Sequence, residues 1–369
     1  MPNGGTRWGV ERVEPIVLGP NQVHRFYRGG PAIAEFRGTR SADDHAPEDW
    51  VASATSVFGS EGTGLSTLPD GRTAAEAFAA DPEAFFGPAH AERFGADPGL
   101  LVKLLESGER LPVHCHPNRD FARRHLGCPY GKTEAWVIVE ARSPEPEAEA
   151  EAEVFLGFRD EVDPAALAAW VTGQSTAAML GAMHRIPVTI GDAVLVPAGV
   201  PHAVGEGVFL VELQEPTDLS VLLEWEGFDV DGARDGHLGL GFDVALRCVD
   251  RSGWGKERLD RLRTSREGGR DARPGVDVLF PAEADSFFRA ERIRPRDASP
   301  LSPGFSVLVM TQGAGRLEFG TAGSLEVARG DTVLVPFAAG DCRLVGSMEA
   351  VRCMPPHPDA PDISAPVFG

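Results

Sequence analysis

A chain of 369 residues is long enough for two ordinary domains or for one large double domain. Its apolar content of 42% and its charged content of 24% are typical of a water-soluble globular protein. The net charge of −20 argues against nucleic acid or an anionic membrane as a partner, because binding to either needs a basic surface.

The sequence carries no sign of export or membrane insertion. The N-terminal segment 1–15 lacks the apolar core of a signal peptide, and no uncharged apolar stretch approaches the roughly 18 residues that cross a bilayer. The five cysteines are odd in number and scattered, so a disulfide framework is not expected. We therefore expect a cytoplasmic protein.

Helical patterns occur in two regions. The first, residues 72–107, contains RTAAEAFAADPEAFFG followed by LLVKLLES. The second, residues 163–183, opens with Asp163 as an N-cap and Pro164 at the first helical position. We expect helices in both regions.

Most of the remaining chain consists of short apolar runs between glycines and prolines, which is typical of strands. Examples are EAWVIVEA, VFLGF, AVLVPAG and GVFLVELQ. The runs 135–141 and 154–158 are separated by residues 142–153, a segment of alternating Glu with Ala and Pro. This segment has no apolar face to bury, so we expect a solvated hairpin loop.

The pattern Gly-Asp-x-Val-Leu-Val-Pro occurs twice, starting at Gly191 and at Gly330, 139 residues apart. Six of the seven residues are identical, and each copy leads into a tight turn and a further strand. The repeat predicts two similar β-barrels in one chain.

Two histidines and a later glutamate form a pattern that favours metal binding. Since residues two apart on a strand face the same side, His114 and His116 point together into the predicted barrel, whereas Cys115 faces the packed side. A single strand histidine is usually only a hydrogen-bonded polar residue. Two in register, with Glu134 shortly downstream, favour a metal site, provided that the rest of the chain supplies a further ligand.

The motifs of the first barrel resemble those of the cupins, small β-barrels with a metal in the mouth. The His-x-His pair followed by Glu134 is similar to the first cupin motif. The spacing of Gly191, Pro197, Gly199 and His202 is similar to that of the second cupin motif. The resemblance implies barrels of the jelly-roll type, and the two motifs together imply a metal site with three imidazoles and one carboxylate.

Over most of the chain the sequence resembles the type I phosphomannose isomerases, which are cupins with an added helical domain. The matching stretches are LLVKLLESGERLPVHCHP for their Gln-x-His zinc ligands, GKTEAW for their Gly-Lys-x-Glu-x-Trp, and GDAVLVPAGVPHAVGEGVFLVELQEPTD for their last histidine ligand. This resemblance implies a metal-dependent aldose–ketose isomerase that acts on a sugar or sugar phosphate.

Two positions depart from the family pattern. His114 replaces the glutamine ligand, which brings the site closer to a generic cupin. Leu222 stands where the family has an arginine beside the substrate. Arg25 and Arg28, in HRFYRGG, either supply the missing positive charge or are surface arginines beside a glycine turn.

Aldose–ketose isomerisation moves a proton between C1 and C2 through an enediolate and needs an acid–base group. Lys132 lies two residues from Glu134, on the same strand face. It either contacts a substrate oxygen or transfers a proton, or it is an ordinary salt-bridging lysine at a strand start. Lys103 also falls inside a matched motif, and Asp218 and Glu212 are weaker candidates from the segment after the last histidine.

The cofactor expected is one divalent ion, with zinc favoured. Imidazole and carboxylate ligands also suit Mn²⁺, Fe²⁺, Co²⁺ and Ni²⁺. The second barrel is expected to be metal-free, because Asp341 stands where His202 stands in the first copy and the preceding GFSVLVMTQGAGRLEFG has no histidine.

The sequence therefore predicts a mainly β double cupin with a helical insertion. Residues 1–110 would form N-terminal strands and the helical insertion, 111–230 the metal-binding barrel, and 231–369 a second, degenerate barrel. The expected partner is a small sugar or sugar phosphate, and the oligomeric state stays open. Two alternatives remain: a cupin-type metal dioxygenase, since such a site also supports oxygen chemistry with Fe²⁺, and a non-catalytic sugar-binding cupin.

Overall fold

A computed structural model of the chain describes residues 14–40, 43–142 and 151–365, with the side chains of 271–272 excepted. The strands within these ranges are β1 (Ile16–Leu18), β2 (Gln22–Val23), β3 (Glu48–Val51), β4 (Leu101–Glu106), β5 (His114–Cys115), β6 (Glu134–Ala141), β7 (Glu153–Phe158), β8 (Met183–Pro187), β9 (Ala193–Val196), β10 (His202–Val204), β11 (Val208–Gln214), β12 (Val221–Leu222), β13 (Arg263–Thr264), β14 (Arg270–Arg273), β15 (Val276–Val278), β16 (Arg289–Ile293), β17 (Ala298–Leu301), β18 (Ser306–Phe319), β19 (Gly323–Ala328), β20 (Thr332–Val335) and β21 (Cys342–Met354). The α-helices are α1 (Ala32–Arg37), α2 (Ala74–Ala80), α3 (Pro82–Phe86), α4 (Pro88–Phe94), α5 (Arg119–Leu126), α6 (Pro164–Thr172), α7 (Thr176–Ala182), α8 (Gly232–Asp235), α9 (Phe242–Ala245) and α10 (Lys256–Leu262).

Two antiparallel sheets form the barrel that carries the predicted metal ligands. One sheet has the strand order β12-β5-β10-β7-β8, and the other has the order β13-β9-β6-β11-β4-β3-β2. His114 on β5 lies directly opposite His202 on β10 in the first sheet, whereas Glu134 begins β6 in the second. The ligands thus come from both sheets and line one cavity.

A further antiparallel sheet is built around the two long strands β18 and β21. Its order is β1-β20-β18-β21-β16-β15-β14, with β17 added to β21 and β19 added to β18. The long strands pair from Val307 opposite Cys353 to Phe319 opposite Cys342, with one irregularity of register near Met310. Strand β1, from the beginning of the chain, pairs with β20 and so joins this C-terminal sheet.

The repeated motif forms equivalent strands, β9 and β20, in the two barrels. Each copy starts at a glycine with positive φ, 90° at Gly191 and 99° at Gly330. An added Cβ would lie 2.1 Å from the carbonyl oxygen of Phe36 at Gly330, and 2.7 Å from Cγ of Arg266 at Gly191. Glycine is therefore required at both turns by conformation and by space.

The first predicted helical region is only partly helical. Helices α2, α3 and α4 lie within residues 74–94, and Thr73 forms a capping box with Glu76. The helical prediction for LLVKLLES is wrong, because Leu101–Glu106 form β4, a fully buried strand between β11 and β3. A short continuous apolar run suits a buried strand as well as a helix, and periodicity alone does not separate them.

The second helical region is confirmed as two helices, α6 and α7. The side chain of Asp163 caps α6 by accepting hydrogen bonds from the backbone N–H groups of Ala165 and Ala166, at 2.8 and 3.3 Å. Pro164 occupies the first turn, as predicted. A left-handed residue, Gln174 with φ of 46°, lies between the two helices.

The prediction of a hairpin around residues 142–153 is wrong. The flanking strands β6 and β7 exist, but they lie in different sheets. The connection therefore leads from one sheet of the metal barrel to the other. Most of the predicted loop, residues 143–150, lies outside the described residues.

The division of the chain into three parts stays a prediction. Strands β2, β3 and β4, from the first part, pair within a sheet of the metal barrel, and β1 pairs within the C-terminal sheet. None of the helices in the described ranges has the length and apolar character needed to span a membrane. The cytoplasmic location also stays a prediction.

Candidate metal centre

Three histidine side chains meet inside the first barrel. The ring centroids of His114 and His202 are 4.2 Å apart. The ring centroid of His116 lies 5.0 Å from that of His114 and 4.9 Å from that of His202. One nitrogen of each ring lies within 4.8 Å of the others, a spacing that a single ion can bridge. Cys115, between the first two, is fully buried in an apolar cluster, as predicted.

Each ring is oriented by a backbone carbonyl at Nδ1. The carbonyl oxygens belong to Pro112 for His114, at 2.8 Å, to Leu219 for His116, at 2.8 Å, and to Val200 for His202, at 2.9 Å. A carbonyl oxygen can only accept, so each Nδ1 carries a proton, and in the neutral ring Nε2 is then the atom with the lone pair. Such a contact fixes the tautomer that metal-binding histidines need.

Glu134 brings a carboxylate to the same point. Its Oε2 lies 3.0 Å from Nε2 of His116, and its Oε1 lies 3.2 Å from Nε2 of His202. The indole N–H of Trp136 donates to Oε1 at 3.1 Å. Nε2 of His202 forms no hydrogen bond although the atom is buried. A buried polar atom without a partner is costly, and a divalent ion would engage it together with the Glu134 carboxylate, so the donor set fits a metal.

Lys132 supplies a positive charge at this point. Its Nζ donates to Nε2 of His116 at 2.9 Å and lies 3.1 Å from Oε2 of Glu134. The side chain is only 6% exposed. An ammonium group thus contacts two of the predicted ligands, as expected for a donor set that attracts cations. The structure contains the salt bridge, and contact with a substrate stays a prediction.

Burial keeps the imidazoles of His114 and His116 neutral, and the neighbouring charges keep the carboxylate of Glu134 ionised. Burial, followed by the other two imidazoles, holds the pKa of His114 well below its usual range, and burial and Lys132 lower the pKa of His116 to about 3. Burial alone would raise the pKa of Glu134, but Lys132 and the imidazoles hold it well below its usual range. Neutral imidazole and ionised carboxylate are the forms that bind a metal.

A second group of buried charges lies beside the histidines. Nζ of Lys103 is 3.3 Å from Oε2 of Glu48 and 3.2 Å from Oε2 of Glu212, and it lies 4.8 Å from the ring centre of Trp50. Strand register explains the contacts, because Trp50, Lys103 and Glu212 are directly opposed on β3, β4 and β11. Burial opposes the charge, but the two carboxylates raise the pKa of Lys103 above its usual value. Lys103 is therefore held as a cation.

Asp218 is bound by Arg25 through two hydrogen bonds. Nη1 and Nη2 of Arg25 donate to the two carboxylate oxygens at 3.0 and 3.2 Å, and Nε lies 3.5 Å from Oε1 of Glu48. The side chains of Arg25 and Asp218 are 12% and 5% exposed. Arg25 is therefore part of the cavity, and the interpretation of it as a surface arginine is wrong.

Arg28, the other candidate to replace the family arginine, and Leu222, which stands at its position, lie in different surroundings. The guanidinium of Arg28 is exposed and 3.5 Å from Asp44, and Arg28 does not line the cavity. Leu222 on β12 is paired with His114 and does line it. The position where the family pattern has an arginine thus carries an apolar side chain beside the predicted ligands.

Two cavity residues, Tyr27 and Glu48, were not predicted from the sequence. The hydroxyl of Tyr27 donates to Oε1 of Glu48, and the indole N–H of Trp50 donates to Oε2 at 2.6 Å. Glu48 precedes Trp50 by two residues in PEDWVAS, so strand alternation was a signal that assigns both to one face. No local signal marks Tyr27, because its partner is reached only through the fold.

Glu48→Gln is expected to lower the free energy of unfolding by about 3 kcal/mol. The change removes a charge that Lys103 and Arg25 share, so two buried cations lose a partner. Chemical denaturation of both proteins measures the effect. Asp70→Asn is the control, because its ion pair with Arg72 at 2.6 Å is half exposed and should contribute little. Equal effects of the two variants would contradict the structural role of Glu48.

The chain is similar to known mannose-6-phosphate isomerases in sequence and in fold. No protein-family model matches the chain. A mannose-6-phosphate isomerase of Bacillus subtilis is 24% identical over 346 residues, which are 92% of this chain and 98% of that protein. The crystal structure of a mannose 6-phosphate isomerase from Bacillus subtilis has a TM-score of 0.72 at 21% identity, with 92% of this chain and 99% of that chain covered. The resemblance to the type I phosphomannose isomerases is confirmed.

The phosphomannose isomerase fold accounts for the architecture described above. A structure of a mannose 6-phosphate isomerase bound with zinc and yttrium has a TM-score of 0.68 at 14% identity, with 94% of this chain and 100% of that chain covered. The predicted fold class, a mainly β double cupin with a helical insertion, is confirmed. Helices α2 to α4, between β3 and β4 in the chain, are the insertion.

Metal analysis is expected to give one ion per chain. Within the described ranges, the three histidines are the only close group of three metal-binding side chains. In the C-terminal sheet, Asp341 is exposed and β18 has no histidine, and a lone carboxylate is a poor ligand set for a transition metal. Anomalous scattering from crystals of the zinc-loaded protein checks the count. A second ion near Asp341 would contradict it.

Proposed function

We propose that this chain is a metal-dependent isomerase that interconverts an aldose and a ketose in carbohydrate metabolism, with a sugar or sugar phosphate as substrate. One observation carries the proposal: three imidazoles and one ionised carboxylate converge at a cavity whose wall also contains two lysines. The names of the similar proteins, mannose-6-phosphate isomerases, support the same reaction here.

We assign the metal to His114, His116, Glu134 and His202, with zinc as the favoured ion. Zinc binds nitrogen and oxygen donors of this kind and leaves a position open in catalytic sites. The similar structure that contains zinc supports this choice, although the donor types also suit manganese, iron, cobalt and nickel. When bound, a divalent ion polarises the sugar carbonyl and stabilises negative charge on the sugar oxygens.

Lys132 is assigned a direct contact with the substrate. Its buried ammonium lies 2.9 Å from His116, so a sugar oxygen that approaches the ligands also comes within reach of Nζ. From there Lys132 donates a hydrogen bond and stabilises the oxygen on which negative charge develops while the proton moves between C1 and C2.

Lys103 and Asp218 are assigned supporting roles around the proton transfer. Nζ of Lys103 lies 3.2 Å from Oε2 of Glu212, a cavity carboxyl whose pKa is raised by burial. A carboxyl with a raised pKa is suited to accept and return a proton, so Glu212 is the proposed proton carrier. Asp218 fixes the guanidinium of Arg25 at the cavity wall.

The experiment that tests this function is an isomerisation assay on a panel of free and phosphorylated aldoses. Metal-free protein and protein reconstituted with Zn²⁺, Mn²⁺ or Co²⁺ are compared, and oxygen uptake is recorded in parallel. We expect at least one aldose–ketose pair to be interconverted only by the reconstituted protein, without oxygen uptake. Oxygen uptake without isomerisation would support a dioxygenase instead, and sugar binding without turnover by any metal form would support a binding protein.

A further inference from the structure

The arginine in the metal cavity is already neutralised. Arg25 donates two hydrogen bonds to Asp218, at 3.0 and 3.2 Å, and its Nε is 3.5 Å from Glu48. This planar two-bond contact is the arrangement in which a guanidinium would otherwise hold a phosphate group. Burial opposes the charge, but Asp218 and Glu48 raise the pKa of Arg25 well above its usual value, so the pairs persist.

The two lysines in the cavity are paired as well. Lys103 lies 3.3 Å from Glu48 and 3.2 Å from Glu212, and Lys132 lies 3.1 Å from Glu134. Among the described residues that line the cavity, these lysines and one arginine are the side chains with a fixed positive charge. Every one of them already has a carboxylate partner.

The formal charge of the lining is unfavourable for a phosphate group. Three cations face four carboxylates, those of Glu48, Glu134, Glu212 and Asp218, so the lining carries one excess negative charge when the imidazoles are neutral. A bound divalent ion would change the charge of the lining to one excess positive charge. That charge would balance the negative charge that develops on the sugar oxygens during isomerisation. A phosphate carries close to two negative charges at neutral pH, and burying it without a partner is strongly unfavourable.

Two described features beside the cavity, Arg110 and an adjoining cavity, offer no unpaired arginine or lysine. Arg110 lies four residues before His114 in the chain. It donates to both oxygens of Glu224, at 2.8 and 2.5 Å, and does not line the cavity. An adjoining cavity shares Asp218, and the only basic side chain in its described lining is His125. Leu222 and Phe26 line the wall of the metal cavity itself. Apolar side chains of this kind pack against the C–H faces of a sugar.

We infer that the cavity selects an unphosphorylated aldose or ketose. This inference rests on the proposed isomerase function and specifies its substrate. A neutral sugar offers hydroxyl groups to the paired carboxylates and cations without breaking the pairs. A sugar phosphate binds only after a carboxylate such as Asp218 releases its arginine, which leaves that carboxylate buried and unpaired.

The first test compares free sugars with their 6-phosphates in the zinc-loaded full-length protein. We expect kcat/KM for the best free aldose to exceed that for its 6-phosphate by about tenfold or more. Binding of mannitol and mannitol 1-phosphate, measured by calorimetry, gives an independent result, because these polyols have no carbonyl group to isomerise. Mannitol is expected to bind about tenfold or more tightly than its phosphate.

The outcomes separate this inference from the proposed function. Preferred turnover of the 6-phosphate would overturn the inference and leave the isomerase function standing. Tighter binding of mannitol with no turnover of any sugar would support the selectivity of the cavity and overturn the isomerase function. Tighter binding of mannitol 1-phosphate, or no binding of either polyol, would overturn the inference whatever the turnover.

A pair of substitutions at Leu222 tests the charge argument directly. Leu222→Arg adds a cation without a dedicated partner to the cavity wall, and Leu222→Gln adds a polar side chain without charge. We expect the ratio of kcat/KM for the 6-phosphate to that for the free sugar to rise about tenfold in the arginine variant, and to change little in the glutamine variant. An equal rise in both folded variants, or none in either, would overturn the explanation by charge.

Discussion

Replacing His116 with alanine is expected to remove most of the bound metal while the barrel stays folded. The imidazole contacts Glu134 and Lys132, whereas the neighbouring Cys115 packs in the apolar cluster. Even the loss of a group that only supports a ligand typically weakens metal binding 10- to 100-fold, so the loss of a ligand should cost more than about 100-fold. Isomerase activity should fall with the metal content.

Metal analysis after dialysis and thermal unfolding of the same sample measure the two parts of this prediction. His24→Ala is the matched control, because His24 is 71% exposed, pairs with Asp43 and does not line the cavity. The control should keep its metal. Full occupancy in the His116 variant would remove His116 from the proposed ligand set.

The second large effect is expected for Lys132→Met, which keeps the length of the side chain and removes its charge. Positioned acid–base and electrostatic groups commonly contribute 10²- to 10⁴-fold to catalysis, so we expect kcat to fall by about this factor. Metal content should be unchanged or higher, because a positive charge next to His116 and Glu134 has been removed. The loss of kcat without loss of metal distinguishes Lys132 from a ligand.

The chain supplies a suitable control for this experiment among its lysines. Lys256 is 86% exposed on α10, pairs with Asp260 at 2.7 Å and does not line the cavity. Lys256→Met should therefore leave kcat and metal content unchanged. Normal kcat in the Lys132 variant would mean that Lys132 only balances the charge of Glu134.

The histidine centre was predictable because its signals are local. His114 and His116 show strand alternation within three residues, and the glycine-bounded motif before His202 fixes a turn and a strand. The repeat of that motif at Gly330 predicted a second barrel in the same way. Sequence spacing carries such features because they depend on the backbone of one or two neighbouring elements.

The features that were predicted wrongly, or not predicted, depend on contacts between distant parts of the chain. Leu101–Glu106 was predicted as helix, and only pairing with β11 and β3 makes it a buried strand. The pairing of Arg25 with Asp218 joins residues that are 193 positions apart. Neither the neutralisation of Arg25 nor the contact of Tyr27 with Glu48 leaves a local pattern in the sequence, so both required the fold.

The most direct test of metal-dependent isomerisation at the histidine centre is a zinc titration of metal-free protein. Bound zinc and aldose–ketose interconversion are recorded on the same samples, with the best sugar from the panel. Activity is expected to rise in proportion to bound zinc and to stop rising at one equivalent per chain. Full activity in the metal-free protein, or one bound equivalent without interconversion of any sugar tested, would contradict it.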